Sequence, residues 1–154
     1  MLKRSRTDDA RHKRPVRVLV VDDDPDACEL IARIVERHDM EAVRAFNHGE
    51  AMTNLLGAIN AFRAVIIDFS HGGPSASVAL LEDIRSSDAV TDLAVIILTR
   101  LDQNRVFAWQ AGVDAFLVRP IHADELLAEL DAALERTPDQ RAAHRDAALE
   151  AASH

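Results

Sequence analysis

Residues 18–27 read VLVVDDDPDA. Four aliphatic residues run directly into three aspartates and a proline, with no polar alternation before the break. Such a run is too short for a buried helix and matches a strand covered on both faces. The strand extends back to Val16, and three further runs share its character: Ala64–Ile67, Leu93–Leu98 and Ala115–Val118. Strands buried on both faces belong to parallel sheets. Glu41–Phe46 mixes charged and apolar residues, as an edge strand does.

Between these runs lie helix-length segments with apolar residues three and four apart: Ile31, Ile34 and Val35; Val78, Leu81 and Ile84; Leu127, Leu130 and Leu134. Asp24 and Pro25 supply a cap and a first-turn proline for the first of them, and the last begins near Ile121–Asp124, past Pro120. Segments 48–59 and 102–111 complete five repeats of strand and helix. The alternation predicts an α/β fold, a doubly wound five-stranded parallel sheet with right-handed crossovers. In such sheets ligands sit beyond the carboxyl ends of the strands.

Of 154 residues, 48% are apolar, enough for one sizeable core. Three regions are expected: a basic, disordered arm over 1–14, a domain over 15–135, and a tail over 136–154 that is helical but loose or partner-dependent, with a dimerising helix as the alternative. The arm holds six of the 18 Lys and Arg, whereas the whole chain carries a net charge of −8. An acidic body argues against nucleic-acid binding by the domain, because phosphate neutralisation needs Lys and Arg. Cys28 is the only cysteine, so no internal disulfide forms, and no apolar run reaches the roughly 18 residues of a membrane span. A cytoplasmic setting without membrane contact is the expectation.

The strand ends carry the chemistry. The first is followed by Asp22, Asp23 and Asp24, the third by Asp68, the fourth closes on Thr99, and the fifth is followed by Arg119 and Pro120. A parallel sheet brings these ends to one edge. Asp22, Asp23 and Asp68 then repel one another unless a cation or protons compensate. A hard divalent ion such as Mg²⁺, which takes oxygen ligands and retains several waters, answers that need. Helix capping accounts for Asp24 alone. Asp68 ends a buried apolar strand, which capping does not explain.

The stretches VLVVDDDPDA, AVIID, AVIILT, QAGVDAFLVRP and ADELLAEL, in this order and spacing, resemble receiver domains of bacterial two-component response regulators over about residues 16–135. The resemblance implies the flavodoxin-like strand order 2-1-3-4-5, which is the order general treatments of doubly wound folds give for a member of this family. It also implies that Asp68 accepts a phosphoryl group from a sensor histidine kinase or phosphotransfer protein. Mg²⁺ would be held by Asp23, Asp68 and the Ser70 carbonyl, with Asp22 acting through water. Thr99 would donate to a phosphoryl oxygen and Phe116 would occupy the aromatic switch position. Arg119 stands where lysine is usual. The downstream partner would meet the face of the fourth helix, fifth strand and fifth helix, where Phe107 and Trp109 are candidates, and a homodimer is possible.

Three departures surround that site. Arg119 is planar and forked where the family has a compact ammonium, and Lys3 and Lys13, the only lysines, both lie in the arm. The residue after Thr99 is Arg100, where a small one is usual. The loop FSHGGPSAS, residues 69–77, lacks the usual Met-Pro and Asp-Gly pattern, and His71 within it reads as an exposed loop residue rather than a metal ligand. The leading expectation is a stand-alone receiver in phosphorelay signalling rather than an enzyme. A second reading is a receiver-fold binding module that works without phosphorylation. A third is a small phosphatase of the haloacid dehalogenase type, since Asp22-x-Asp24 and Thr99 imitate its first motifs, though its core lysine has no counterpart.

Overall fold

The computed structural model describes residues 15–58 and 61–153; the basic arm lies outside them. Strands β1 (Arg17–Val21), β2 (Glu41–Ala45), β3 (Ala64–Ile67), β4 (Ala94–Thr99) and β5 (Ala115–Val118) alternate with helices α1 (Pro25–Arg37), α2 (His48–Gly57), α3 (Gly73–Ser86), α4 (Arg105–Ala111) and α5 (Ala123–Glu135), and α6 (Pro138–Ala152) follows. All neighbouring strands are parallel, in the order β2-β1-β3-β4-β5. The doubly wound fold expected from the alternation is therefore the fold observed.

The unbroken apolar runs are explained by burial on both sides. Leu19, Val21, Val65, Ile67, Val95 and Ile97 face one layer, with Leu55 of α2, Leu81 and Ile84 of α3 and Trp109 of α4. Val18, Val20, Ile66, Ile96 and Leu98 face the other, with Ile31 and Val35 of α1 and Leu126 and Leu130 of α5. At about 25 cal/mol per Å² of apolar surface removed from water, these two layers are the main stabilising term. The stripe of α5 sits one residue earlier than its leucines suggested: Leu126, Leu130 and Ala133 are buried, whereas Leu127 and Leu134 flank them half-exposed.

Local signals set the helix ends. Asp24 caps α1 by accepting the Asp26 amide at 3.0 Å, with Pro25 in the first turn. Asn47 caps α2 by accepting the Glu50 amide at 2.8 Å. Helix α4 begins at Arg105, three residues later than expected, because Asn104 takes a left-handed conformation with φ 68° and interrupts the turn. Gly112 closes α4 at φ 98°, and a Cβ there would come within 3.2 Å of Arg85 Nε.

The tail differs most from its expectation. Helix α6 starts on a capping box formed by Thr137 and Gln140 and lies against α4, with Ala148, Leu149 and Ala152 packed on the apolar layer beneath. Its alanine-rich face suggested no strong partner. What holds it is polar, as described below.

Gly112→Ala combines a disfavoured φ with a crowded Cβ, so it is expected to lower stability by about 1–3 kcal/mol in urea denaturation. Gly57→Ala, whose Cβ meets nothing within 4 Å at the end of α2, is the control and is expected to cost nothing.

Candidate functional site

The carboxyl edge of the sheet is held in register beyond the strands themselves. The Asp68 amide donates to Val21 O at 2.8 Å, the Asp22 amide to Ala45 O at 3.0 Å, and the Arg119 amide to Thr99 O at 2.7 Å. The chain therefore leaves each strand with its next side chain aimed at the same edge. Asp22 is fully buried, and Asp68 and Thr99 are each 5% exposed. A cleft of about 220 Å³ opens over Asp68 and Thr99, lined also by Ser70 and Arg100 among others.

Each acid has a different environment. Asp22 Oδ1 accepts the Asp24 amide at 2.9 Å and the Ser70 hydroxyl at 2.9 Å. Its Oδ2 is buried with no hydrogen-bond partner among the described residues. Burial outweighs those hydrogen bonds and, with repulsion from Asp68, pushes the Asp22 pKa up to about 6. Asp23 accepts the amides of His71 and Gly72 at 3.0 and 2.9 Å. Burial works against its ionisation, but these amides hold its carboxyl below the ordinary range.

Asp68 Oδ2 accepts a hydrogen bond from the Arg119 guanidinium. Burial raises the Asp68 pKa, while Arg119 and the nearby charge of Arg100 oppose the rise. Arg119 and Pro120 are joined by a cis peptide bond. Thr99 Oγ1 accepts the Leu101 amide at 3.2 Å. The Phe116 ring is buried beneath the Arg105 guanidinium, 5.0 Å from its centroid. The His71 side chain is 75% exposed, with Nδ1 3.6 Å from Asp23 Oδ1, in keeping with a loop residue. Phe107 is exposed, and Trp109 is buried.

Among the described residues no three acidic, His or Cys side chains stand as a ready metal cage. The reason is local: the 69–72 backbone holds the Asp23 carboxylate, and Arg119 holds Asp68. The donor chemistry nonetheless suits a hard cation, since the orphaned Asp22 oxygen and two further carboxylates adjoin one another in a partly buried edge.

Sequence reading overlooked Asp114. It is 1% exposed just before β5, accepts the Val95 amide at 2.8 Å, and is ringed by Arg85, Arg141 and Arg145. The available signal was an acid beside an apolar run together with two arginines four apart in the tail.

The wound parallel sheet thus carries an acidic carboxyl edge, a threonine ending β4 and a basic residue after β5. The family model for the response regulator receiver domain matches residues 18–131, and the chain belongs to that family. It is 34% identical over 129 residues to the response regulator MprA of Mycobacterium sp. (strain KMS), covering 82% of this chain and 54% of that protein. It is 26% identical over 122 residues to the phosphate regulon transcriptional regulatory protein PhoB of Pseudomonas aeruginosa, covering 78% and 52%. The chain thus spans about half the length of these curated relatives. Among solved structures, a two-component response regulator from Clostridium difficile superposes with a TM-score of 0.67 at 25% identity over 79% of this chain and 97% of that one. A response regulator receiver domain protein from Clostridium thermocellum gives 0.71 at 25% identity, over 79% and 95%. Among the described residues, no helix is long and apolar enough to cross a membrane.

The Asp22 value yields a prediction with a definite sign. A carboxyl whose folded pKa is raised retains a proton that the unfolded chain releases, so stability falls as pH climbs from 3.8 to about 6. The full cost above that window is about 3 kcal/mol. In EDTA, Asp22→Asn is expected to raise the melting temperature at pH 7.5, with the gain vanishing near pH 4. A gain that does not depend on pH would show that ionisation of Asp22 is not its source.

Proposed function

We propose that this receiver works as a phosphorylation switch in two-component signalling, with Asp68 taking a phosphoryl group from a histidine kinase or phosphotransfer protein. The observation that carries the reading is Asp68 itself: a nearly buried carboxylate at the mouth of a cleft, paired with a guanidinium and flanked by two more acids. Capping or packing accounts for none of this. Phosphoryl transfer asks the protein chiefly for positioning and charge neutralisation, and this edge supplies both.

The groups take the following roles. Asp23, Asp68 and the Ser70 carbonyl would hold Mg²⁺, with Asp22 assisting through water, and the ion would supply charge neutralisation for the incoming phosphate. To serve as a ligand, Asp23 would have to release the hydrogen bonds it accepts from the His71 and Gly72 amides. Asp68 Oδ attacks phosphorus in line as the phosphohistidine bond breaks. Arg119 leaves the carboxylate for the phosphoryl oxygens, where its fork suits two of them. Thr99 turns its hydroxyl from the Leu101 amide toward the phosphate, and Phe116 follows inward. The output lies on the surface of α4, β5 and α5.

Arg119 on Asp68, with Arg100 nearby, neutralises the edge without metal and so competes with Mg²⁺ and phosphate. Native protein incubated with Mg²⁺ and a small acyl phosphate is expected to gain one phosphoryl group by intact mass, slowly, and Asp68→Asn none. Arg119→Lys combined with Arg100→Ala is expected to label roughly ten-fold faster, which corresponds to about 1.4 kcal/mol. Absence of label in both forms would overturn the switch and favour a module that works without phosphorylation.

A further inference from the structure

Helix α6 covers the α4 side of the surface that a downstream partner would need. Its attachment is unusual. Arg141 grips the Asp114 carboxylate with Nε and Nη2, each at 3.0 Å, and also reaches the carbonyls of Asp92 and Leu93. One turn on, Arg145 adds a contact at 2.9 Å, while Arg85 of α3 holds the same carboxylate from below at 3.0 Å. The His144 ring packs edge-on against Trp109, 5.7 Å between centroids.

This attachment is specific and also weak. Three guanidiniums share one carboxylate and hold it below its ordinary range in spite of burial, but they also repel one another in a partly buried place. Burial, together with Arg145 and Arg141, brings the Arg85 pKa down to about 10. The Arg145 Nε is buried without a partner among the described residues, which adds a desolvation cost. No residue of α6 is fully buried. A helix of this length is marginal in water, so α6 keeps its form only while the surface holds it.

The same surface is joined to the switch. Asp114, just before β5, lies two residues from Phe116 within it. Arg105, whose guanidinium covers the Phe116 ring, also lines a cleft of about 280 Å³ with Trp109, Ala148 and Ala152, between α4 and α6. Arg105 thus touches both the Phe116 ring and the cleft against which α6 rests.

We propose that α6 is a displaceable cover on the α4–β5 surface, and that the partner reading this protein is an amphipathic helix that presents two arginines one turn apart to Asp114 and small residues to Trp109. The trigger rests on the reading of Asp68 as phosphoacceptor; the cover and the chemistry of its replacement do not. While α6 is seated the partner is excluded. When phosphorylation shifts Phe116 and Arg105, α6 loses its apolar support first, and the partner takes over the carboxylate.

Hydrogen exchange on the full chain tests the cover. Amides of 139–152 are expected to be protected in native protein and to lose roughly ten-fold protection in Arg141→Ala/Arg145→Ala, while the β strands keep theirs. A fluorescein-labelled peptide of residues 137–153 is the probe for the vacated surface. It is expected to bind the double variant roughly ten-fold more tightly than native protein, because native α6 competes with it. Equal binding to both, or to neither, would overturn the proposal. Native protein shown by intact mass to carry phosphate on Asp68 is expected to lose protection in 139–152 and to gain peptide binding. Full labelling with unchanged protection would make α6 a fixed part of the fold and overturn displacement. Failure to label would refute the Asp68 reading alone, since the double variant and the peptide judge the cover independently.

Discussion

A carboxylate at the buried end of a parallel strand needs a positive partner, and at Asp68 that partner is Arg119. Much of the site follows from this need. The sheet delivers Asp22, Asp23 and Asp68 to one edge, where burial raises the energy of each negative charge and their proximity raises it further. The edge answers with three local devices: a guanidinium on Asp68, two backbone amides on Asp23, and a pKa raised to about 6 on Asp22. Each is a partial neutralisation that a divalent ion would perform at once.

Arginine in place of lysine changes the balance of that competition. A compact ammonium is a point charge that moves with little geometric demand, whereas a guanidinium binds as a planar fork and resists losing its second contact. The 69–77 loop adds a second restraint, because its amides at His71 and Gly72 occupy the Asp23 carboxylate. Both features stabilise the edge through internal contacts alone.

Asp114 presents the converse arrangement at the other end of β5. There one buried acid gathers three arginines, two of them from outside the sheet-and-helix repeats. The carboxyl edge has excess negative charge and the Asp114 cluster excess positive charge, and β4 and β5 run between them. A polar anchor of this kind adds little net stability, since replacing buried charges with apolar contacts is often no less stable.

The parallel sheet and the clustering of the strand-end residues were legible from the chain because they depend on short-range patterns: unbroken Val and Ile runs, helical spacing of apolar residues, and a cap at Asp24; the strand order came from the family resemblance and is the order observed. Burial on both faces leaves a signature in every strand, so each run could be read by itself. The late start of α4 was not legible, because Asn104 takes a conformation its neighbours do not announce. Nor was the seat of α6. Its sequence is an alanine-rich helix with no strong apolar face, and its partner, Asp114, lies 27 and 31 residues away from the arginines that grip it. The partition of the acids was equally hidden: three aspartates near two strand ends look alike in sequence, and only the path of the 69–72 backbone and the reach of Arg119 decide which is orphaned, which is held by amides and which is paired. Local patterning determined the layers of this protein, whereas the pairing of its charges was decided by tertiary structure, because a charge chooses its partner by distance and dielectric rather than by position in the chain.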